Sequence, residues 1–268
     1  ISIKDGGQRV RSGGCRMKKL LEVCVDSLAS ARAAIAGGAD RLELCSALLA
    51  GGLTPSPELL RQIRRESSIP VRCLMRPRAG DFLYSQDEID LLCAQINSLR
   101  QAGADGFVIG CLTAEGDLDR CAMQQLVNAC GDCGLPLHRA IDVARDPLQT
   151  YRDAAALGID TILTSGAAAS CMEGQTVLGR LLVERDRTEG PEILIGAGVN
   201  ADVIRTLTQT LPGARAFHMS GKIERESGMK FRREGVPMGL PGLDEWHIQQ
   251  TDCSAVRAAR TALDGYAT

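Results

Sequence analysis

Short apolar runs alternate with amphipathic stretches along most of the chain. Runs rich in Leu, Ile and Val predict buried strands, and apolar residues three and four positions apart predict helices that cover them. The pattern predicts eight strands, at Leu20–Val25, Arg41–Cys45, Val71–Met75, Gly106–Gly110, Leu137–Ile141, Asp160–Thr164, Glu192–Gly196 and Arg215–Met219.

Several of the intervening helices have recognisable starts. Ser85 followed by Glu88 is a capping box, in which each side chain accepts a hydrogen bond from the other residue's backbone N–H. Asp146 and Pro147 supply an N-cap and a first-turn proline, and Asn200 caps a later helix. Strands and helices therefore alternate in a regular order.

Eight strand–helix units in a chain of 268 residues, without a break in composition, predict one (β/α)₈ TIM-type barrel with eight parallel strands. The alternative is a doubly wound open sheet, which shares the alternation. That fold typically has a glycine-rich dinucleotide fingerprint after its first strand, whereas residues 26–38 read DSLASARAAIAGG. We therefore expect a barrel over residues 17–268 and no nucleotide cofactor, with residues 1–16 forming a disordered N-terminal extension.

Composition excludes several classes of partner. The formal net charge is -2, with 24% charged residues, so no basic field favours nucleic acid or an anionic membrane surface. No apolar run approaches the roughly 20 residues that a membrane span needs. The chain has 11 cysteines, mostly inside apolar runs, which is typical of reduced thiols in a cytoplasmic protein.

The first two strands carry the same unusual pattern, LEVCV at 21–25 and LELCS at 42–46. Strand side chains alternate, so Glu22, Cys24, Glu43 and Cys45 should point into the barrel while the aliphatic residues face the helices. One interpretation is that the two carboxylates are ion-pair partners of interior arginines. The other is that they serve as general acid or base, because barrel active sites lie at the carboxyl ends of strands.

The third strand is followed by RPRAGDFLYS, which contains Arg76 and Arg78. Two arginines held by a proline predict a grip for a carboxylate or phosphate, with Asp81 orienting one guanidinium. Alternatively, they neutralise Glu22 and Glu43.

The predicted fifth strand reads LHRAID, in which His138, Ala140 and Asp142 share a face. An imidazole beside a carboxylate can act as a general base or as an oriented metal ligand. A lone strand histidine is otherwise a structural group with satisfied hydrogen bonds.

Strands six, seven and eight end in LTSG, GAGV and FHMSG, and turns after the last two strands cradle phosphate in many barrels. After the eighth strand, roughly thirty residues precede a predicted last helix at Ser254–Leu263, and loops of that length are usually functional or disordered. Beyond the two arginines after strand three, the candidate anion-binding residues are Arg139, Ser165, Gly166, Gly196, Gly198, His218, Ser220 and Lys230.

The strings LEVCVDS, GADRLELCSALLAGGLTPS, RPRAGDFLYS, LHRAIDVARDP, ILTSG and SGMKFR resemble the CutC copper homeostasis protein family, in the same order. The resemblance runs from about Lys19 to the C-terminus. It implies a TIM-type barrel, a cytoplasmic location, a homodimer or higher homo-oligomer, and copper bound through Cys24 and Cys45.

Soft thiolates prefer Cu(I), and adjacent strands lie about 4.8 Å apart, so two sulfurs could share one ion. Inward side chains of adjacent barrel strands need not lie at equal heights, however.

Two main functions follow from the sequence. The first is copper homeostasis through Cu(I) at the strand-end cysteines. The alternative is an enzyme acting on a small anionic or phosphorylated metabolite, with Glu22, Glu43, His138 and Asp142 as acid–base groups. A structural oligomer with a vestigial pocket is a third interpretation, which the concentration of ionisable groups disfavours.

Overall fold

A computed structural model describes residues 19–233, 235–236, 238 and 245–265. The predicted disordered extension at residues 1–16 lies outside the described residues. None of the helices in the described ranges combines the length and hydropathy that a membrane span requires.

Eight parallel strands form a nearly closed barrel, which confirms the predicted fold. The sheet order is β4-β3-β2-β1-β8-β7-β6-β5. Isolated parallel bridges, Gly106 with Gly134 and Ile109 with Leu137, bring its two ends together. The strands are β1 (Leu20–Val25), β2 (Arg41–Leu44), β3 (Val71–Leu74), β4 (Gly106–Val108), β5 (Pro136–Leu137), β6 (Thr161–Thr164), β7 (Glu192–Ile195) and β8 (Ala216–Met219).

Helices between the strands cover the outside of the barrel. They are α1 (Leu28–Gly37), α2 (Pro57–Glu66), α3 (Gln86–Gln101), α4 (Arg120–Cys130), α5 (Pro147–Ala156), α6 (Gln175–Thr188), α7 (Ala201–Thr210) and α8 (Cys253–Asp264). The predicted caps are confirmed: Asp146 and Asn200 accept from backbone N–H groups of α5 and α7, and Ser85 with Glu88 forms a capping box at α3.

The Ser85→Ala variant should lose about 1 kcal/mol of unfolding free energy, because the first turn of α3 loses a capping acceptor. The Ser85 hydroxyl accepts from the Glu88 N–H at 3.3 Å. Urea denaturation measures the change. Thr206→Ala is the control, because this hydroxyl bonds a carbonyl within α7 and caps no helix start. Equal losses in both variants would contradict the role of the cap.

The two faces of the strands pack differently. Leu21, Val23 and Leu42 belong to the main core between barrel and helices. Inside the barrel, Leu163 and Leu194 belong to a smaller apolar cluster. The alternation predicted for the first strands thus agrees with the packing, and it leaves polar residues of β1 and β2 on the interior side.

The predicted fifth strand, Leu137–Ile141, is wrong after its first residue. The strand ends at Leu137, and Arg139–Val143 forms a short 3₁₀ helix. The His138 ring accepts from the Ala140 N–H and thereby caps this turn. Such local side-chain bonds compete with strand pairing. His138, Ala140 and Asp142 therefore do not share a strand face.

Two described parts of the segment after β8 form strands that the sequence pattern did not predict. Lys222–Glu226 (β9) pairs antiparallel with His247–Thr251 (β10), forming a two-stranded arm. Lys230 lies exposed beyond β9. The arm leads into α8, close to the predicted Ser254–Leu263.

Candidate functional site

Three potential metal ligands meet inside the barrel mouth. One ligand atom each from Cys24, Glu43 and His218 lies within 4.8 Å of the other two. In the described part of the chain, these residues are the cluster of His, Cys, Asp or Glu side chains that could hold a metal ion. The strand register explains the meeting. Cys24 pairs with Glu43 across β1 and β2, and His218 on β8 pairs with Glu22 on β1.

The His218 ring is oriented by Glu22. Its Nδ1 lies 2.8 Å from Glu22 Oε1, and its Nε2 lies 3.8 Å from Glu43 Oε2. The other Glu22 oxygen accepts a hydrogen bond from Arg41 Nε. Glu22 therefore holds the imidazole in place and leaves Nε2 turned to the side of Glu43. Glu22 is also the ion-pair partner of an interior arginine, Arg41, as the ion-pair interpretation of the sequence predicted.

Burial and charge give the two carboxyl groups opposite pKa shifts. Burial opposes ionisation of Glu22, but the Arg41 guanidinium and the bond to His218 outweigh it and lower the pKa of Glu22. For Glu43, burial dominates and raises the pKa to about 7. Burial also disfavours a charged His218, yet neighbouring Cys24 and Glu43 outweigh that effect and raise the pKa of His218 well above its usual value.

Cys45 lies beside this trio rather than within it. Glu43 is the residue of β2 that faces Cys24, so Cys45 stands two positions further along the chain. It packs in an apolar cluster with Leu74 and Val108, and its Sγ lies 3.5 Å from the Val25 carbonyl oxygen. Burial strongly raises the pKa of this thiol.

A cavity of about 380 Å³ lies above the trio. Its lining includes Cys24, Glu43, Leu48, Gly51, Leu74, Arg76, Gly80, Phe82, His138, Arg139, Asp142, Val143, Leu163 and His218. The structure therefore brings most of the charged residues selected from the sequence to one cavity.

The two arginines after β3 have different surroundings. The Nη atoms of Arg76 donate to the carbonyl oxygens of Ala50, Gly52 and Gly80. Arg78 is half exposed, lies outside the cavity lining and pairs with Asp81 and Glu88. The expected orientation by Asp81 is confirmed for Arg78. The alternative, that Arg76 and Arg78 neutralise Glu22 and Glu43, is wrong for Glu22, which pairs with Arg41.

The turn after β6 binds a carboxylate of the chain itself. Asp142 accepts from the backbone N–H groups of Ser165 and Ala167, and from the side chains of Thr164 and Arg139. Arg139 also donates to the Ser165 hydroxyl. The polar groups expected to cradle an anion here are thus engaged with Asp142, which anchors the 3₁₀ helix to β6.

The remaining predicted anion-binding residues lie outside the cavity lining. They are Gly166, Gly196, Gly198, Ser220 and Lys230. Gly166 packs so closely on Gly174 that an added Cβ would lie 2.3 Å from the Gly174 carbonyl oxygen. Close backbone packing therefore explains this glycine.

Sequence reasoning missed two residues of the site. Arg41 pairs with Glu22, and the Phe82 ring lies 4.8 Å from the ring of His138. His218 was selected only for anion binding, not as a metal ligand. Its position on the interior face of the last strand was the available signal.

Comparisons with known proteins agree with one another. The family model described as CutC family matches residues 19–223. A family protein CutC of Chromobacterium violaceum is 43% identical over 249 residues, covering 92% of this chain and 99% of its own. The Homo sapiens relative, called copper homeostasis protein cutC homolog, is 40% identical over 254 residues, covering 93% and 91%.

Solved structures extend the comparison to the fold. The crystal structure of CutC from Streptococcus agalactiae has a TM-score of 0.70 and 29% identity, covering 75% of this chain and 98% of its own. Phosphoribosylanthranilate isomerase from Thermotoga maritima, at 12% identity and a TM-score of 0.52, shares the barrel fold alone.

Proposed function

This chain belongs to the CutC family, and from that premise we propose that it serves copper homeostasis by binding Cu(I) inside the barrel mouth. Cys24 and His218 are the main ligands, with Glu43 beside them. The meeting of these three side chains within 4.8 Å carries the proposal.

The donor chemistry suits Cu(I). Cu(I) prefers soft thiolate ligands and accepts imidazole, whereas carboxylates favour harder ions. The carboxylate of Glu43 is therefore the weakest of the three donors and contributes mainly negative charge close to the cation.

The orientation of His218 also supports the proposal. Histidine ligands in metalloproteins usually donate their second ring N–H to a carboxylate, which fixes the tautomer and the ring plane. Glu22 takes that position at 2.8 Å from Nδ1. This leaves Nε2 for the metal.

Cys45 was paired with Cys24 in the sequence-based proposal, and a two-thiolate site stays a prediction. We favour His218 as the second ligand because Cys45 is fully buried in an apolar cluster that disfavours the thiolate. A Cys24–His218 site and a Cys24–Cys45 site predict different losses of Cu(I) affinity in the variants. A cytoplasmic location and a homo-oligomer also remain predictions.

Cu(I) binding should weaken by roughly a hundredfold or more in Cys24→Ser, because the variant loses its softest donor. His218→Gln should weaken binding roughly tenfold to a hundredfold. We expect a smaller loss in Cys45→Ser. The measurement is an anaerobic titration of reduced protein in competition with a high-affinity Cu(I) chelator.

The matched control is Cys73→Ser, which changes a buried cysteine of β3 that belongs to the helix-facing core. It should bind Cu(I) like the wild type. An equal, large loss in Cys45→Ser and Cys24→Ser, with none in His218→Gln, would favour the two-thiolate site. Weak binding that is equal in all proteins would refute a copper site in the barrel.

A further inference from the structure

The cavity contains a buried positive charge, the Arg76 guanidinium, that pairs with no carboxylate of the described residues. Arg76 is 9% exposed. Its Nη atoms bond three backbone carbonyls, and its Nε has no hydrogen-bond partner. Among the residues described, no carboxylate forms an ion pair with it. Carbonyl dipoles hold the guanidinium in place, but they do not neutralise its charge.

Other arginines with little exposure in the described ranges are paired. Arg185, which is fully buried, pairs with Asp186 and Glu192. Arg41 pairs with Glu22. Buried charges in proteins are normally paired in this way. Among the described arginines with little exposure, Arg76 is thus the exception, and its unpaired charge favours an anion as a ligand of the cavity.

His138, which also lines the cavity, carries a second buried donor without a partner among the described residues. Its Nδ1 accepts from the Ala140 N–H at 3.2 Å, and this bond favours the tautomer with the ring proton on Nε2. His138 is 4% exposed, and its Nε2 has no hydrogen-bond partner in the part of the chain that the structure describes. Burial lowers the pKa of His138 to about 3, so the ring is a neutral N–H donor at physiological pH. Unpartnered buried donors are rare in native proteins.

The Phe82 ring connects the two donors. It packs on the ring of His138, and Arg76 Cζ lies 5.2 Å from its centroid. Arg76 and His138 thus flank one aromatic residue on the cavity wall.

The anion should be a carboxylate rather than a phosphate. Phosphate sites in barrels use backbone N–H groups of glycine-rich turns. Here Asp142 occupies the turn after β6, and Gly196 and Gly198 lie outside the cavity lining. One guanidinium and one neutral N–H match the single charge of a carboxylate.

We propose that the cavity binds a small organic carboxylate, whose oxygens are held by the Arg76 guanidinium and the His138 Nε2–H. A volume of about 380 Å³ lies within the range of small-molecule sites. The rest of the molecule faces Cys24 and the apolar Leu74 and Leu163. This site goes beyond copper binding, because neither donor belongs to the Cys24–Glu43–His218 trio.

The test uses metal-free protein with a chelator present and pyruvate as the probe. Pyruvate should cause saturable shifts of the ¹⁵N-bound proton signals of Arg76 Nε and His138 Nε2. Arg76→Met should weaken binding roughly tenfold to a hundredfold, since it removes a charged hydrogen bond. His138→Leu, which keeps the Arg76 contacts to the backbone, should weaken it severalfold. Arg78→Met, the neighbouring exposed arginine, is the matched control and should bind like wild type.

Three results would overturn the proposal. One is the absence of saturation at tens of millimolar pyruvate. Another is equal binding of pyruvamide, which has the same shape as pyruvate without the charge. The last is inorganic phosphate binding as tightly as pyruvate. Because no copper is present, failure of the copper titration leaves this result unaffected.

Discussion

The Glu22→Gln variant is expected to lose about 3–5 kcal/mol of unfolding free energy relative to the wild type. Glu22 is 2% exposed, and its two oxygens face Arg41 and His218. Glutamine keeps the shape of the side chain but removes its negative charge. Two buried cationic groups then lose their common partner, and leaving buried charges unpaired is strongly destabilising.

Arg41 makes this loss severe. In the described ranges, Glu22 is the carboxylate with which Arg41 forms an ion pair, and one Nη of Arg41 already lacks a partner. The His218 ring also loses the acceptor that fixes its orientation. Urea denaturation of the metal-free protein at neutral pH measures the effect.

The matched control is Glu66→Gln, the same chemical change in an exposed pair. Glu66 binds Arg32 at the surface, where both side chains are largely exposed. Exposed pairs contribute about 0–1 kcal/mol, so this variant should unfold close to the wild type. If both variants unfolded at the same urea concentration as the wild type, the interior ion pair would not be a determinant of stability.

The fold could be predicted because it depends on features that repeat along the chain. Leu20–Val25 is a strand in both the prediction and the structure, since its aliphatic residues alternate with Glu22 and Cys24. Ser85 and Glu88 mark a helix start by local hydrogen bonds alone. Such signals involve residues a few positions apart, so a sequence displays them directly.

The ligand group could not be predicted because it depends on strand register. The repeated Glu-x-Cys pattern suggests that Cys24 and Cys45 face each other. The register of β1 and β2 instead sets Cys24 against Glu43, two positions before Cys45. The stagger between strands follows from closure of the whole barrel, which no short pattern encodes.

The prediction of the fifth strand was wrong for a different reason. LHRAID has an alternating pattern, but His138 and Asp142 make side-chain bonds that stabilise a 3₁₀ turn. Asp142 accepts a hydrogen bond from the backbone N–H of Ser165, which lies in the turn after β6 and 23 positions further along the chain. A pattern of hydrophobic positions does not reveal that contact. Polar side chains at the end of a predicted strand indicate only that local side-chain bonds can compete with strand pairing.

Lowering the pH should destabilise the wild type relative to a His138→Gln variant. The usual histidine pKa of 6.5 falls to about 3 in the folded protein, because burial and the nearby Arg76 disfavour the charged ring. Between these values the unfolded chain takes up a proton that the folded protein does not. Stability contributed by His138 is therefore present above pH 6.5 and is lost as the pH falls towards 3, by about 4–5 kcal/mol over the whole interval.

The comparison is best made between pH 7.5 and 4.5, where about 2–3 kcal/mol of this change should appear. The wild-type curve alone is not sufficient, because Glu43 has the opposite effect. Its pKa is raised to about 7 in the folded protein, so protonation of Glu43 stabilises the folded state as the pH falls. The difference between wild type and His138→Gln removes that contribution. Tyr151→Phe, which loses a buried bond to the Pro191 carbonyl, is the control and should differ from wild type equally at both pH values. A His138→Gln difference that is also independent of pH would show that the ring binds its proton as readily in the folded protein as in the unfolded chain, and His138 would then be no neutral donor in the cavity.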